Sequence, residues 1–253
     1  MEDIFSLLDN IKEGDSLNVN DRVLIVDGLN LYLRVFAVNG ALNDNGVPVG
    51  GLTGFLRSLA YAIREVNPTR VIIVYDGAGG SQRRRKIHPE YKSNRKPGKR
   101  ITRWDAFKNS TEEKESMKIQ FSRLIEYLDF LPINVISIDK IEADDTIAYI
   151  AHTLLDKEVT IMSADQDFLQ LVNDRITVWS PTKKKLYTKQ EVEDEYGIPS
   201  NNILTYRILD GDKSDNIGGI PGCGIKSIIK YLEPISEQED FGVMELLDYV
   251  EKS

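Results

Sequence analysis

Val23-Leu24-Ile25-Val26-Asp27-Gly28-Leu29-Asn30 decides how the chain is read: four aliphatic residues in a row, then a carboxylate, then a glycine. A short continuous apolar run closed by turn residues is the pattern of a strand buried on both faces. Val71-Ile72-Ile73-Val74 and Val159-Thr160-Ile161-Met162 repeat it, and Ile133 to Ile138 makes a fourth strand. Between the first two runs, Leu52, Phe55, Leu56, Leu59, Ile63 and Val66 share one helical face that ends before Pro68. Met117, Phe121, Leu124, Ile125, Leu128 and Leu131 mark a second helix; Glu142 to Lys157 is a third, with acids in its first turn. Strands alternating with helices predict an α/β fold with a mostly parallel central sheet flanked by helices.

The 253 residues carry 32 Lys and Arg against 40 Asp and Glu, a net charge of −8. With 41% hydrophobic and 28% charged residues the composition is that of a soluble globular protein. One cysteine, Cys223, excludes an internal disulfide framework and a thiolate metal cluster. No apolar run reaches about 18 residues and the N-terminus lacks a basic-then-apolar signal, so neither membrane nor export is expected and the cytoplasm is. The acidic total weighs against nucleic acid, but the charge is uneven. From Arg83 to Arg103 there are ten Lys or Arg and one acid, Glu90. That is +9, leaving −17 elsewhere. Such a block reads either as a solvated loop or, with Tyr91 and Trp104 interleaved, as a surface for phosphate neutralisation and base stacking. It lies in a connection from Asp76 to the strand near Ile133, far longer than the usual 2–6-residue βα loop.

Each buried run leads into acids: Asp27, Asp76, and Asp165 with Asp167. In open α/β sheets ligands bind outside the carboxyl ends of the strands, so these side chains should converge on one rim. Glu142, Asp144 and Asp145 open a helix at the same rim, and Gly211-Asp212-Lys213-Ser214-Asp215-Asn216 adds two more acids. Singly, such acids serve helix dipoles and turns. Jointly they repel by roughly 4 kcal/mol per pair at 4 Å and an effective dielectric near 20, which calls for protons or cations. All-oxygen donors favour Mg²⁺ or Mn²⁺ over zinc; His88 sits in the basic block and His152 mid-helix. Two such ions about 4 Å apart suit phosphodiester hydrolysis. Ile217-Gly218-Gly219-Ile220-Pro221-Gly222-Cys223-Gly224-Ile225-Lys226 then leads into an apolar helix, Ser227 to Leu232, a pattern that fits a phosphate clamp better than a plain turn between helices.

These motifs together resemble the flap endonuclease/5′-nuclease family, and within it the bacteriophage ribonuclease H-type 5′-nucleases, which remove lagging-strand RNA primers. Asp27-Gly28-Leu29-Asn30, Asp76, Tyr91-Lys92-Ser93-Asn94-Arg95, Glu142-Ala143-Asp144-Asp145, Ser163-Ala164-Asp165-Gln166-Asp167 and Gly211 to Asn216 occur in the family's order between residues 20 and 232. The resemblance implies a PIN-like core over residues 20–200, with a helical arch inserted at about 77–131, and a helix–three-turn–helix DNA-binding region over 201–253. It implies one Mg²⁺ held by Asp27, Asp76, Glu142 and Asp144, and a second held or oriented by Asp145, Asp165, Asp167, Asp212 and Asp215, with Mn²⁺ as substitute. Lys92 and Arg95 would assist at the scissile phosphate. Arg84, Arg85, Tyr91, Gly222, Gly224 and Lys226 would contact DNA, with a K⁺ ion at the glycine-rich turn. Trp179-Ser180-Pro181 with Lys183-Lys184-Lys185 either adds backbone contact or only solubilises a hairpin, and Tyr32 is either a stacking platform or core. The expected partner is DNA or RNA–DNA carrying a 5′ single-stranded flap, nick or junction. Single-strand binding protein and a sliding clamp are the replication proteins to consider, though no clear clamp-binding tail is present. A monomer is expected, in the bacterial host cell if phage-encoded. Some 20 residues precede the first strand, so the free N-terminus is not expected at the active site. The chain stops soon after Leu247, as a compact or a truncated member would.

The functional expectation is a Mg²⁺-dependent, structure-selective 5′-nuclease, acting as 5′-to-3′ exonuclease and flap endonuclease. Two rivals are kept: a PIN-like single-strand ribonuclease, which would lack the arch and the 211–232 motif, and a catalytically silent binder of branched DNA, which would have lost carboxylates.

Overall fold

The computed structural model describes residues 21–94, 101–102 and 107–252. The aliphatic runs become five parallel strands: β1 (Arg22–Asp27), β2 (Arg70–Asp76), β3 (Asn134–Ile138), β4 (Glu158–Met162) and β5 (Ile176–Ser180). A short β6 (Lys185–Tyr187) returns antiparallel against β5, and the order across the sheet is β3-β2-β1-β4-β5-β6. Both faces of the sheet are covered. Leu24, Val26, Ile73 and Met162 point to one, against helices α1 (Gly28–Val38) and α2 (Gly50–Val66). Their neighbours Val23, Ile25, Val74 and Ile161 point to the other. Continuous apolar sequence is the consequence of that double burial, each such side chain contributing about 1.5–3 kcal/mol on burial. Strand β3, the outer edge, departs from this: Val135 and Ile138 stay over 40% exposed because no strand lies beyond them.

The long connection after β2 is only partly an insertion. Its first helix, α3 (Gln82–Ile87), is exposed, but α4 (Ser110–Leu128) is a core helix with Leu124 and Leu128 fully buried beside Phe55 and Ile73. Gln120 on α4 accepts from the amides of Gly51 and Leu52 at 2.8 and 3.3 Å, supplying the cap that α2 lacks in its own sequence. Within the 77–131 expected as an inserted arch, residues 110–128 thus belong to the core. Leu131, expected to continue the helix, lies beyond its end and is half exposed.

Helix α5 (Ala143–Thr153) crosses from β3 to β4 on the opposite face to α4, burying Ala143, Ile147 and Ala151. Connections thus change face at the β1–β4 junction, which is where open α/β sheets form a ligand crevice. Past the sheet come α6 (Lys189–Tyr196), α7 (Ile203–Asp210), a two-residue ladder of β7 (Gly211–Asp212) with β8 (Ile217–Gly218), then α8 (Ile225–Tyr231), α9 (Pro234–Glu237) and α10 (Val243–Lys252). Ile203, Ile228, Leu232, Ile235 and Phe241 belong to the same apolar cluster as Val23 and Ile161, so the boundary drawn at residue 200 is not a gap in the core. Buried Asn202 fastens this region, donating to the Ile235 and Gln238 carbonyls and accepting from the Phe241 amide.

Candidate active site at the sheet rim

Asp27 ends β1 and caps α1. One carboxylate oxygen accepts from the Asn30 amide at 3.2 Å and the other from the Ser163 hydroxyl at 2.9 Å. Ser163, just past β4, also accepts from the Asp165 amide at 3.1 Å, so one hydroxyl ties the ends of the two central strands together. Asp76 ends β2 and reaches sideways to accept from the Ala143 amide at 2.8 Å, capping α5. That cap carries Asp144 to the same rim. Gly77 is needed beside it, because a Cβ there would lie 1.7 Å from the Ile138 carbonyl oxygen.

The electrostatics follow from this convergence. Burial pushes Asp27 up to about 6, against the hydrogen bonds from Ser163 and Asn30, and the charges of Asp76 and Asp165 add to the shift. Asp144 is pushed up to about 7, first by burial, then by Asp27, Asp165 and Asp76, with the Lys92 charge opposing. None of these four acids makes an ion pair with a Lys or Arg among the described residues. Four converging carboxylates, whose charges push Asp27 and Asp144 up and which no Lys or Arg touches among the described residues, are a donor set suited to a hard divalent ion. Among the described residues no three acids close into a ready-made metal cage.

The remaining acids are arranged differently. Glu142 is buried, and Arg84 at 2.6 Å and Lys92 at 2.9 Å both reach it. Arg84 also grips Asp145 through two 2.8 Å hydrogen bonds. Lys92 adopts a left-handed backbone (φ 57°), donates its amide to the Asp215 carbonyl and brings its ammonium within 3.9 Å of the Asp215 carboxylate. Asp167 and Asp212 share Arg207, at 2.9 and 2.8 Å. A cavity of about 300 Å³ opens beside Glu142, lined by Asp76, Gly77, Gly79, Gly80, Ser81, Lys92 and Glu142.

The structure places two aromatic residues against one expectation and within one open alternative. Tyr91 does not present its ring for stacking on DNA: it is 5% exposed, its hydroxyl donates to Glu142 and Lys92 lies over its face at 4.8 Å. Tyr32 is core rather than platform, packed against Phe36 and Phe121 with its hydroxyl donating to the Met117 carbonyl. Arg84, expected on DNA, is engaged with Asp145 and Glu142, while Arg85 is exposed on α3. Arg95 lies outside the described residues, as do Arg103 and Trp104. Gly222, Gly224 and Lys226 are exposed on the turn before α8, with Gly222 at φ 78°. In the hairpin, Lys183 and Lys185 pair with Glu195, leaving Lys184 over the Tyr61 ring.

Sequence reasoning missed three features. Arg207 lies in no motif, and Ser163 is read only as the start of the Ser163-to-Asp167 motif, with no role of its own. The third is a seam in which Asn94 donates to the Lys213 carbonyl, Asn216 to the Glu90 carbonyl and His88 meets the Asn216 carbonyl. It joins the basic segment to the Asp212–Asp215 loop across more than 110 residues of sequence. Asn94 and Asn216 within their motifs were the available signal.

Fold and rim together define a carboxylate-rimmed α/β nuclease class. Residues 22–197 match the family model of the 5′-3′ exonuclease N-terminal resolvase-like domain, and the chain belongs to that 5′-3′ exonuclease family. The 5′-3′ exonuclease of Aquifex aeolicus is 32% identical over 85% of this chain and 70% of its own length. That of Bacillus subtilis is 31% identical over 84% and 70%. The match to thermostable DNA polymerase I of Thermus thermophilus, 33% identical, covers 84% of this chain and 24% of that protein. Among solved structures, the bacteriophage T5 D15 flap endonuclease in a pseudo-enzyme–product complex with DNA and metal ions aligns at TM-score 0.70 and 22% identity, over 90% of this chain and 78% of that one. No helix among the described residues is long and apolar enough to cross a membrane.

Proposed function

We propose that this chain is a Mg²⁺-dependent, structure-selective 5′-nuclease that hydrolyses phosphodiesters near single-strand/duplex junctions, leaving 5′-phosphate and 3′-hydroxyl ends. The observation that carries it is the rim quartet Asp27, Asp76, Asp144 and Asp165, whose mutual repulsion has no touching protein cation to relieve it. Family membership and the fold shared with metal- and DNA-bound T5 flap endonuclease support the reading. The quartet would hold one Mg²⁺, and Asp145, Asp167, Asp212 and Asp215 with Glu142 would hold or orient a second. Bound there, the ions would activate water and offset charge at the scissile phosphate.

The chain's own residues supply the rest. Ser163 fixes the separation of Asp27 from Asp165 through two hydrogen bonds. Asp76 keeps α5, and so Asp144, against the rim. Lys92, held by Glu142 beside the rim cavity, offers its ammonium to a phosphate oxygen entering there, and Arg95 is proposed to assist at the scissile phosphate. The basic connection that follows β2 would lie over a 5′ strand. The 211–231 segment, with Gly222, Gly224 and Lys226, would grip duplex backbone around a K⁺ ion. Primer or flap removal during replication in a bacterial or phage-infected cytoplasm fits this substrate.

The test is a 5′-labelled flap duplex incubated with the protein in Mg²⁺, in EDTA, and with an Asp165→Asn variant. Cleavage at the junction should require Mg²⁺ and fall at least a hundredfold in the variant. Cleavage that persists in EDTA contradicts the reading.

A further inference from the structure

Arg207 is placed in a position no motif predicted. It sits on α7, its guanidinium less than one quarter exposed, at the seam between the sheet core and the 211–218 ladder. Nε donates to Asp167 Oδ1 at 2.9 Å, and Nη2 lies 2.9 Å from the same oxygen and 2.8 Å from Asp212 Oδ2. Asp210 is 4.0 Å from Nη1. The other oxygen of Asp212 is already saturated, accepting from the Ser214 amide and hydroxyl at 2.7 Å and the Asp215 amide at 3.2 Å. Thus one planar cation spans two carboxylates that come from different parts of the chain, one following β4 and one on β7. The fork geometry of arginine suits this, since it can bond both without either carboxylate moving.

Burial and the charge of Asp165 push Asp167 upward, with the Arg207 charge opposing. Asp212 goes the other way: burial works against it, but Ser214, the 214 and 215 amides and Arg207 together hold it below the usual carboxylate range. Without Arg207 the two acids would share the unrelieved repulsion of the rim quartet beside them.

We propose that Arg207 is a positioning residue and built-in counter-cation of the Asp167–Asp212 pair. It keeps the two carboxylates in register when no ion is bound, and a divalent ion entering between them must first displace its guanidinium. The two ions of the proposed nuclease are therefore unequal: the quartet takes its ion unopposed, whereas the Asp167–Asp212 side binds against an intramolecular competitor. This rests on those two acids facing the second ion.

Mn²⁺ binding read by electron paramagnetic resonance tests it without reference to catalysis. Wild-type protein, Arg207→Gln, Arg207→Lys, Asp167→Asn and Asp212→Asn are titrated, with circular dichroism to verify folding. Arg207→Met stands in if the glutamine variant does not fold. The wild type should show one tighter and one weaker Mn²⁺. Arg207→Gln should tighten the weaker by about tenfold and leave the tighter unchanged, the effect expected from removing one nearby unit charge. Arg207→Lys, which keeps the charge, should stay near wild type. Weaker-site affinity that is unchanged or reduced in Arg207→Gln overturns the competitor role. If Asp167→Asn and Asp212→Asn leave both affinities at wild-type values, the assignment of these acids to an ion fails first, and the role of Arg207 falls with it.

Discussion

The rim holds two populations of carboxylate that look alike in sequence and differ in charge balance. Asp27, Asp76 and Asp165 accept from a hydroxyl or backbone amides, and neither they nor Asp144 makes an ion pair among the described residues; Glu142, Asp145, Asp167, Asp212 and Asp215 lie within reach of Arg84, Lys92 or Arg207. In the first population Asp27 and Asp144 are raised above the usual carboxylate range; in the second, burial raises Asp167 against the opposing Arg207 charge, and Asp212 is lowered. A hydrogen bond to an amide orients a carboxylate without cancelling its charge, whereas an arginine does both. The quartet is therefore where an external cation gains most, and the paired acids are where the protein has partly supplied its own.

The largest expected effect separates the quartet's two costs. Asp144→Asn and Asp27→Asn should each lower flap cleavage by about a thousandfold. In the absence of metal the same variants should be more stable than wild type at pH 8, because a repelling charge is gone. Urea denaturation beside the cleavage assay checks both, and a quartet variant that is less stable and fully active breaks the distinction.

A second effect is the pH dependence of the metal-free protein. The folded-state values of about 6 for Asp27 and about 7 for Asp144 lie above the ordinary 3.8. Between about pH 4 and pH 7 the native state thus holds more protons than the unfolded chain, so stability falls as pH rises through that window. At about 1.4 kcal/mol per unit the two shifts set an upper bound of roughly 7 kcal/mol on the loss, since each acid's charge contributes to the other's shift, and saturating Mg²⁺ should flatten it. Denaturant titrations at pH 4.5, 6 and 8 with and without Mg²⁺ measure this directly. The smallest effect belongs to the paired side: Asp145 is half exposed, and Asp145→Asn should shift metal-free stability by less than about 1 kcal/mol.

Much of this fold was written in local pattern. The aliphatic runs at 23–26, 71–74 and 159–162 could only be doubly buried strands, and acids at their ends had to share a rim once the strands were parallel. The extent of the insertion was not legible, because the apolar face of α4 reads the same whether it packs on the sheet or stands in an arch; Gln120 capping α2 is a tertiary fact. Tyr91 was misread for a related reason. An aromatic within a basic block suggests base stacking, and only the three-dimensional approach of Glu142 shows that its hydroxyl has a buried acceptor. Arg207 was invisible because its partners lie 40 residues before it and five after it. Net charge was the least informative statistic: −8 sums a basic segment and an acidic rim that the 88–94 seam brings side by side.

The central claim is that the quartet demands a divalent cation, and calorimetric Mn²⁺ titration of the metal-free protein at pH 7 tests it most directly. In buffers of differing ionisation enthalpy, binding should release roughly half a proton or more from the partly protonated Asp144 and Asp27. The release should shrink in Asp144→Asn, and the affinity of the tighter ion should fall. Tight binding with no proton release, undiminished in both Asp27→Asn and Asp144→Asn, would contradict it.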